Sequence, residues 1–82
     1  MEGKNVEIFL KNPLFRFKYI EAGKEQQLLE NAVRIEGKII SEKELGIVVK
    51  VKDLSNQKEK QKRLPFETIF LPFDKIDFII FV

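Results

Sequence analysis

Two apolar runs near the end of the sequence stand out in its pattern of hydrophobic and polar residues. They lie within 64–82, which holds five of the eight phenylalanines, and Pro72-Phe73-Asp74-Lys75 separates them. Both runs are short and rich in β-branched and aromatic residues, which predicts two strands. The proline suits a tight turn or a single 3₁₀ turn. Because the second run stops alternating after Asp77, we expect both of its faces to be covered, by the core or by another subunit.

Three further segments, 14–20, 33–40 and 45–54, alternate between apolar and charged residues, and this period of two predicts half-buried strands. In the second segment the predicted inward positions are Val33, Ile35, Gly37 and Ile39, and the outward ones are Arg34, Glu36 and Lys38. In the third segment they are Ile47, Val49 and Val51, with Lys50 and Lys52 outward. A glycine inside a strand often marks a bend, so Gly37 predicts the strong curvature with which a small sheet closes into a barrel.

The first apolar segment, Val6 to Leu10, fits two templates. Val6, Phe9 and Leu10 would share one face of a helix, whereas Val6, Ile8 and Leu10 would share one face of a strand. We favour a short N-terminal helix, which Asn12-Pro13 would end. A turn is predicted at 21–24, and segment 25–31 fits either a helical turn or the beginning of the next strand.

Together these elements predict one all-β domain over 1–82, with five short antiparallel strands in a strongly bent barrel. The sequence has no histidine and no cysteine. It therefore lacks the usual general base, the thiol nucleophile and the thiolate metal ligand, and we expect neither an enzyme nor a metal or cofactor site. No apolar stretch approaches the roughly 20 residues that a membrane-spanning helix needs, and no signal peptide is evident, so we expect a cytoplasmic protein without a membrane partner.

The basic charge is concentrated in one part of the chain. The net charge is +2, but segment 50–63 alone carries six positive and two negative residues. Its candidate nucleic-acid-binding residues are Lys50, Lys52, Lys58, Lys60, Lys62 and Arg63. On a polar, mobile loop and the strand before it, such side chains could contact phosphates. The same charges would also suit a solvated loop that keeps a β-protein soluble.

Two longer motifs resemble those of the Sm-like family of small β-barrels, which includes the Sm, LSm and Hfq proteins. The first is RIEGKIISEKELGIVVKV, residues 34–51, which pairs a glycine in a strand with a following apolar strand. The second is IFLPFDKIDFII, residues 69–80, in which a short break separates two apolar strands. The chain is also similar to the C-terminal barrel of the RimP ribosome-maturation factors. Pro72-Phe73 stands where many Sm-like proteins carry Arg-Gly, so the nucleotide-clasping residues of that family are not matched.

This resemblance implies an Sm-like or SH3-like barrel that binds RNA and assembles into a ring through its last two strands. The predicted function is a non-catalytic nucleic-acid-binding module, for RNA, in a homo-oligomer. The alternative is a structural or protein–protein interaction subunit with no role in nucleic-acid binding. In either case the predicted subunit interface consists of Ile69, Leu71, Phe78, Ile79 and Phe81.

Overall fold

The computed structural model describes residues 1–14, 18–27, 29 and 31–82. Within these ranges the regular structure consists of β-strands and one 3₁₀ turn, Phe73–Lys75. The strands are β1 (Asn5–Leu14), β2 (Lys18–Glu21), β3 (Lys24–Gln27), β4 (Ala32–Glu42), β5 (Gly46–Ser55), β6 (Lys60–Gln61), β7 (Thr68–Pro72) and β8 (Ile76–Phe81). The predicted all-β class is confirmed.

Six of the strands form one antiparallel sheet. Five of them lie in the order β6-β5-β4-β1-β8, and the sixth, β7, also pairs with β5. Strand β7 lies beside residues 46–50 of β5, whereas β6 pairs with the last two residues of β5. Strands β2 and β3 form a separate hairpin. Among the described strands the main sheet does not close on itself, so the architecture is a bent, barrel-like sheet with two open ends.

The N-terminal segment is a strand, and the predicted helix is wrong. Strand β1 lies between β4 and β8 and pairs with both, so hydrogen bonds on two sides hold its extended backbone. Its alternate residues Val6, Ile8 and Leu10 are buried. Long-range pairing of this kind outweighs a short helical pattern. Pro13 does not end the strand, which continues to Leu14 after a register shift that begins at Phe9.

The other predicted elements agree with the structure in part. The described chain has eight strands rather than five, the first terminal strand begins at Thr68 rather than near Leu64, and the segment predicted as a loop contains β6. A turn separates β2 from β3, β4 and β5 contain the two alternating segments, and the 3₁₀ turn joins the two terminal strands. Residues 15–17 of the predicted strand at 14–20 lie outside the described ranges. The ambiguous segment 25–31 begins with β3, which is strand.

The core lies between the inward faces of the bent sheet. Strands β1, β4 and β5 contribute most of its buried apolar side chains, and β7 and β8 add one each. The fully or almost fully buried apolar residues are Val6, Ile8, Leu10, Leu29, Ala32, Ile35, Ile39, Ile47, Val49, Leu54, Leu71 and Ile76. Of the predicted inward apolar positions, Ile35, Ile39, Ile47 and Val49 are among them, whereas Val33 and Val51 are only partly buried. Lys50 and Lys52 are exposed as expected.

Bulges change which face several residues occupy. Glu36 pairs with Asp53 but Gly37 pairs with Val51, so β5 carries one extra residue, Lys52, at this point. An extra residue bends a strand and reverses the alternation beyond it. Leu54 therefore points into the core, and Asp53 lies on the opposite face beside Glu36.

A second bulge alters the faces of β8. Phe78 pairs with Phe9 and Ile76 pairs with Leu10, which leaves Asp77 as the extra residue. Ile76 is consequently buried, although simple alternation would group it with Phe78. The core covers part of one face of β8 through Ile76 and Ile79, but the described part of the chain does not provide the expected full cover on both faces. Its exposed apolar side chains are Phe78, Ile80 and Phe81.

Candidate nucleic-acid interface

The basic segment that follows β5 begins with a hairpin turn and a short strand, β6. The side-chain oxygen of Asn56 accepts hydrogen bonds from the backbone N–H groups of Lys58 and Glu59, each at 2.8 Å. The N–H group of Asn56 donates to the carbonyl of Glu59 at 3.0 Å. This local turn brings the chain back along β5, so that Lys60 and Gln61 pair with it as β6.

The β2–β3 hairpin provides the opposite wall of a groove. Its turn consists of Ala22 and Gly23, whose φ angles of 52° and 75° give the two left-handed positions of a tight hairpin turn. The groove has a volume of about 550 Å³. Its lining consists of Lys24, Lys60, Lys62 and Arg63, the amide side chains Gln26, Gln27 and Gln61, and Ala22. Four basic groups thus share a concave surface, and no carboxylate is in its lining among the residues that the structure describes.

Three of the six predicted nucleic-acid-binding residues line this groove: Lys60, Lys62 and Arg63. The other three do not. The Nζ atom of Lys50 lies 3.6 Å from a carboxylate oxygen of Glu67, and the Nζ atom of Lys52 lies 4.0 Å from a carboxylate oxygen of Glu36. Lys58 lines a different depression, of about 410 Å³, beside Glu59. The basic surface therefore divides into the groove and a set of exposed lysines outside it.

Sequence reasoning missed the fourth cation of the groove, Lys24. It lies far from the basic segment in sequence and carries no local charge pattern of its own. Only the fold of the β2–β3 hairpin brings it beside Lys60 and Arg63. The predicted turn at 21–24 located this hairpin, but nothing in the sequence indicates where the hairpin packs.

A polar cluster lies next to this basic surface, on the outward face of β1, β4 and β5. The guanidinium group of Arg34 donates to the carboxylate of Glu7 and, at 3.2 Å, to the hydroxyl of Ser55. It is also 3.7 Å from both Glu36 and Asp53. The prediction that Arg34 and Glu36 face water is wrong, because both are half-buried in this cluster.

Asp53 is the most buried member of the cluster, with 1% of its surface exposed. Neither of its oxygens accepts a hydrogen bond from a described N–H or hydroxyl group. Burial raises the pKa of Asp53, and the neighbouring carboxyl group of Glu36 raises that pKa further. Asp53 in turn lowers the pKa of Glu36. The two carboxyl groups therefore titrate together, and Asp53 is the member that binds a proton more readily.

The predicted interface residues fall into three groups by exposure. Phe78 and Phe81 are about half exposed, and Phe78 stacks on Phe9 with ring centroids 4.5 Å apart. Ile69 and Ile79 are partly buried against the core. Leu71 is only 4% exposed, so its assignment to an intersubunit contact is wrong: its side chain belongs to the core of its own chain.

Within the described part of the chain, no group of three or more Asp, Glu, His and Cys residues is placed to hold a metal ion. No helix among the described residues is long and apolar enough to cross a membrane. No protein-family profile, no curated protein and no solved structure matches this chain.

Proposed function

We propose that this protein is a non-catalytic module that binds nucleic acid, with RNA as the first candidate, through phosphates held in the groove between the β2–β3 hairpin and residues 60–63. The observation that carries the proposal is the placement of Lys24, Lys60, Lys62 and Arg63 around one concave surface. Arginine and lysine contacts to phosphates supply most of the sequence-independent affinity for nucleic acid. Arg63 adds a planar, multidentate donor, which suits phosphate oxygens.

A neutral amide in the groove extends this proposal beyond simple charge. Gln26 can both donate and accept hydrogen bonds, whereas the amide of Gln61 already accepts from the N–H group of Leu29 and donates to the carbonyl of Arg63. Ribose hydroxyls and base edges need such groups, whereas phosphates need only donors. RNA is preferred over other polyanions for this reason and because two sequence motifs resemble those of Sm-like proteins. The fold by itself does not decide the function.

Two triple variants with the same change in net charge test the proposal. Lys24→Gln, Lys62→Gln and Arg63→Gln together remove three groove cations, and Lys50→Gln, Lys52→Gln and Lys58→Gln remove three outside it. Binding of an oligouridylate, followed by fluorescence anisotropy across a salt series, should weaken strongly only in the groove variant. Its slope of log K against log salt should fall by about 2, since each phosphate contact to a single strand contributes about 0.7. Equal losses in both variants would mean that binding follows overall charge rather than the groove.

A second candidate function is self-association as a structural or interaction subunit. It is supported by the apolar side chains that β8 leaves exposed and by the open ends of the sheet. Unpaired strand edges with apolar side chains readily pair with another chain. Light scattering at micromolar concentration should then give the mass of an oligomer. A monomer across that range would remove this candidate.

A further inference from the structure

The carboxyl pair and the basic groove share one surface of the sheet. Asp53 and Ser55 lie on the same face of β5, because they are two residues apart in a strand. Ser55 pairs with Lys60 of β6, which makes Lys60 a diagonal neighbour of Asp53. Side chains in that relation are about 7–8 Å apart at their backbones and within reach of a long side chain. A residue of the proposed phosphate groove thus stands beside a buried acidic pair.

Electrostatics link the same groups. The charge of Lys60 lowers the pKa of both Glu36 and Asp53. Four charged side chains face the pair from the strands around it: Glu7 from β1, Arg34 from β4, Lys52 from β5 and Lys60 from β6. Only Lys60 among these also lines the groove. It is the one position at which a bound phosphate would change the surroundings of the carboxyl pair directly.

We propose that the Glu36–Asp53 carboxyl pair couples nucleic-acid binding to proton uptake, with Lys60 as the link. The coupling rests on the proposed function of the groove. A phosphate that pairs with Lys60 cancels the positive charge that favours the ionised carboxyl groups, so the pair holds its proton more tightly. Binding therefore takes up a proton, and by reciprocity protonation of the pair strengthens binding. Affinity rises as the pH falls through the range in which the pair titrates.

The composition of the chain makes this effect separable from other titrations. Histidine is the usual side chain that changes charge between pH 5 and 8, and the sequence contains none. Burial shifts the pKa of Asp53 upward, toward this range, and no imidazole group titrates alongside it. Oligouridylate is a suitable probe, because uracil gains no proton in this range.

The test is the dissociation constant of an oligouridylate of about ten nucleotides, measured from about pH 5 to about pH 8 at constant ionic strength. The wild-type constant should rise by about fivefold or more over this range, a typical size for coupling between two sites. Asp53→Asn cannot ionise but keeps a donor for Glu36, so its binding should hardly change with pH. Lys60→Gln should also lose the pH dependence while the remaining groove cations still bind. Glu67→Gln is the matched control, since it removes a carboxylate that pairs with Lys50 outside the groove, and it should retain the wild-type pH dependence.

Calorimetry in two buffers of different ionisation enthalpy measures the proton uptake itself. Uptake by the wild type and none by Asp53→Asn would support the coupling, and Glu36→Gln serves as the second variant if Asp53→Asn does not fold. If wild-type binding did not depend on pH, or if the variants kept the same pH dependence, the coupling would be refuted. The groove would then still be the proposed nucleic-acid site. Absence of binding at every pH and at low salt would instead refute the groove as a nucleic-acid site, and the coupling with it.

Discussion

Replacement of Gly37 by alanine should destabilise this fold through a single steric contact. A Cβ atom at this position would lie 2.4 Å from the carbonyl oxygen of Lys50 and 2.9 Å from a methyl carbon of Val49. Ordinary contacts of a Cβ atom begin at 3.4 Å, so β4 and β5 would have to separate by about 1 Å. The nearest atom belongs to the backbone of a neighbouring strand and cannot rotate away.

The cost can be assembled from three effects. Overpacking of this kind typically costs about 1–3 kcal/mol. Weakening of a ladder hydrogen bond between β4 and β5 adds about 1 kcal/mol. Alanine also lowers the conformational entropy of the unfolded chain, which offsets about 0.4–1 kcal/mol of this destabilisation. The free energy of unfolding should therefore fall by about 2 kcal/mol, which lowers the Tm of a domain of this size by about 8–16 °C. Gly37→Val should cost more, because two further methyl groups enter the same space.

Urea and thermal unfolding followed by circular dichroism would measure this loss. Gly23→Ala is the control, because a Cβ atom there meets nothing within 4 Å and the substitution strains only a backbone with a φ angle of 75°. It should cost about 1 kcal/mol. If Gly37→Ala were as stable as the wild type, the close approach of β4 and β5 at the bulge would be incorrect.

Two other variants probe the acidic cluster and the exposed strand. Because burial raises the pKa of Asp53, stability from its protonated form is present below the ordinary value of 3.8 and is lost as the pH rises through the folded-state value. Asp53→Asn escapes this loss, so its free energy of unfolding in urea should gain on that of the wild type as the pH rises above about 3.8, by about 1.4 kcal/mol for each tenfold difference in proton affinity between folded and unfolded Asp53. A difference that stays constant with pH would contradict the buried acid. Phe81→Lys should reduce the mass seen by light scattering, because it places a charge among the exposed apolar side chains of β8. Ile20→Lys, on the β2–β3 hairpin, is its control and should leave the mass unchanged.

The elements that the sequence predicts well are those with a strong local pattern. The terminal strands and the alternation in β4 and β5 follow from residue type and period alone. Strand β1 could not be assigned in this way, because Val6 to Leu10 satisfies both periods and its partners β4 and β8 are distant in sequence. Pairing on both sides decides its structure, and no local pattern contains that information.

The site shows the same limit in two places. Strict alternation from Ile47 would send Asp53 into the core, but the extra residue Lys52 shifts it to the outward face beside Glu36. A bulge of this kind depends on how β4 and β5 fit together, with Gly37 at the point of closest approach. The run of basic residues in the sequence identified Lys60. The pairing of Glu36 with Asp53 beside it could not be predicted, because it depends on the register between β4 and β5.

The two candidate functions occupy opposite ends of the sheet and can operate together. Strand β8 ends the order on one side and β6 ends it on the other, with β1, β4 and β5 between them. Association through the exposed face of β8 would leave the groove beside β6 open, so an oligomer would present several grooves at once. Linked sites raise the affinity for a ligand long enough to reach two of them, and not for a shorter one. Phe81→Lys should therefore bind a short oligouridylate as the wild type does, but should lose the extra affinity for a long one. Equal loss of affinity for both lengths would show that β8 and the groove are not independent.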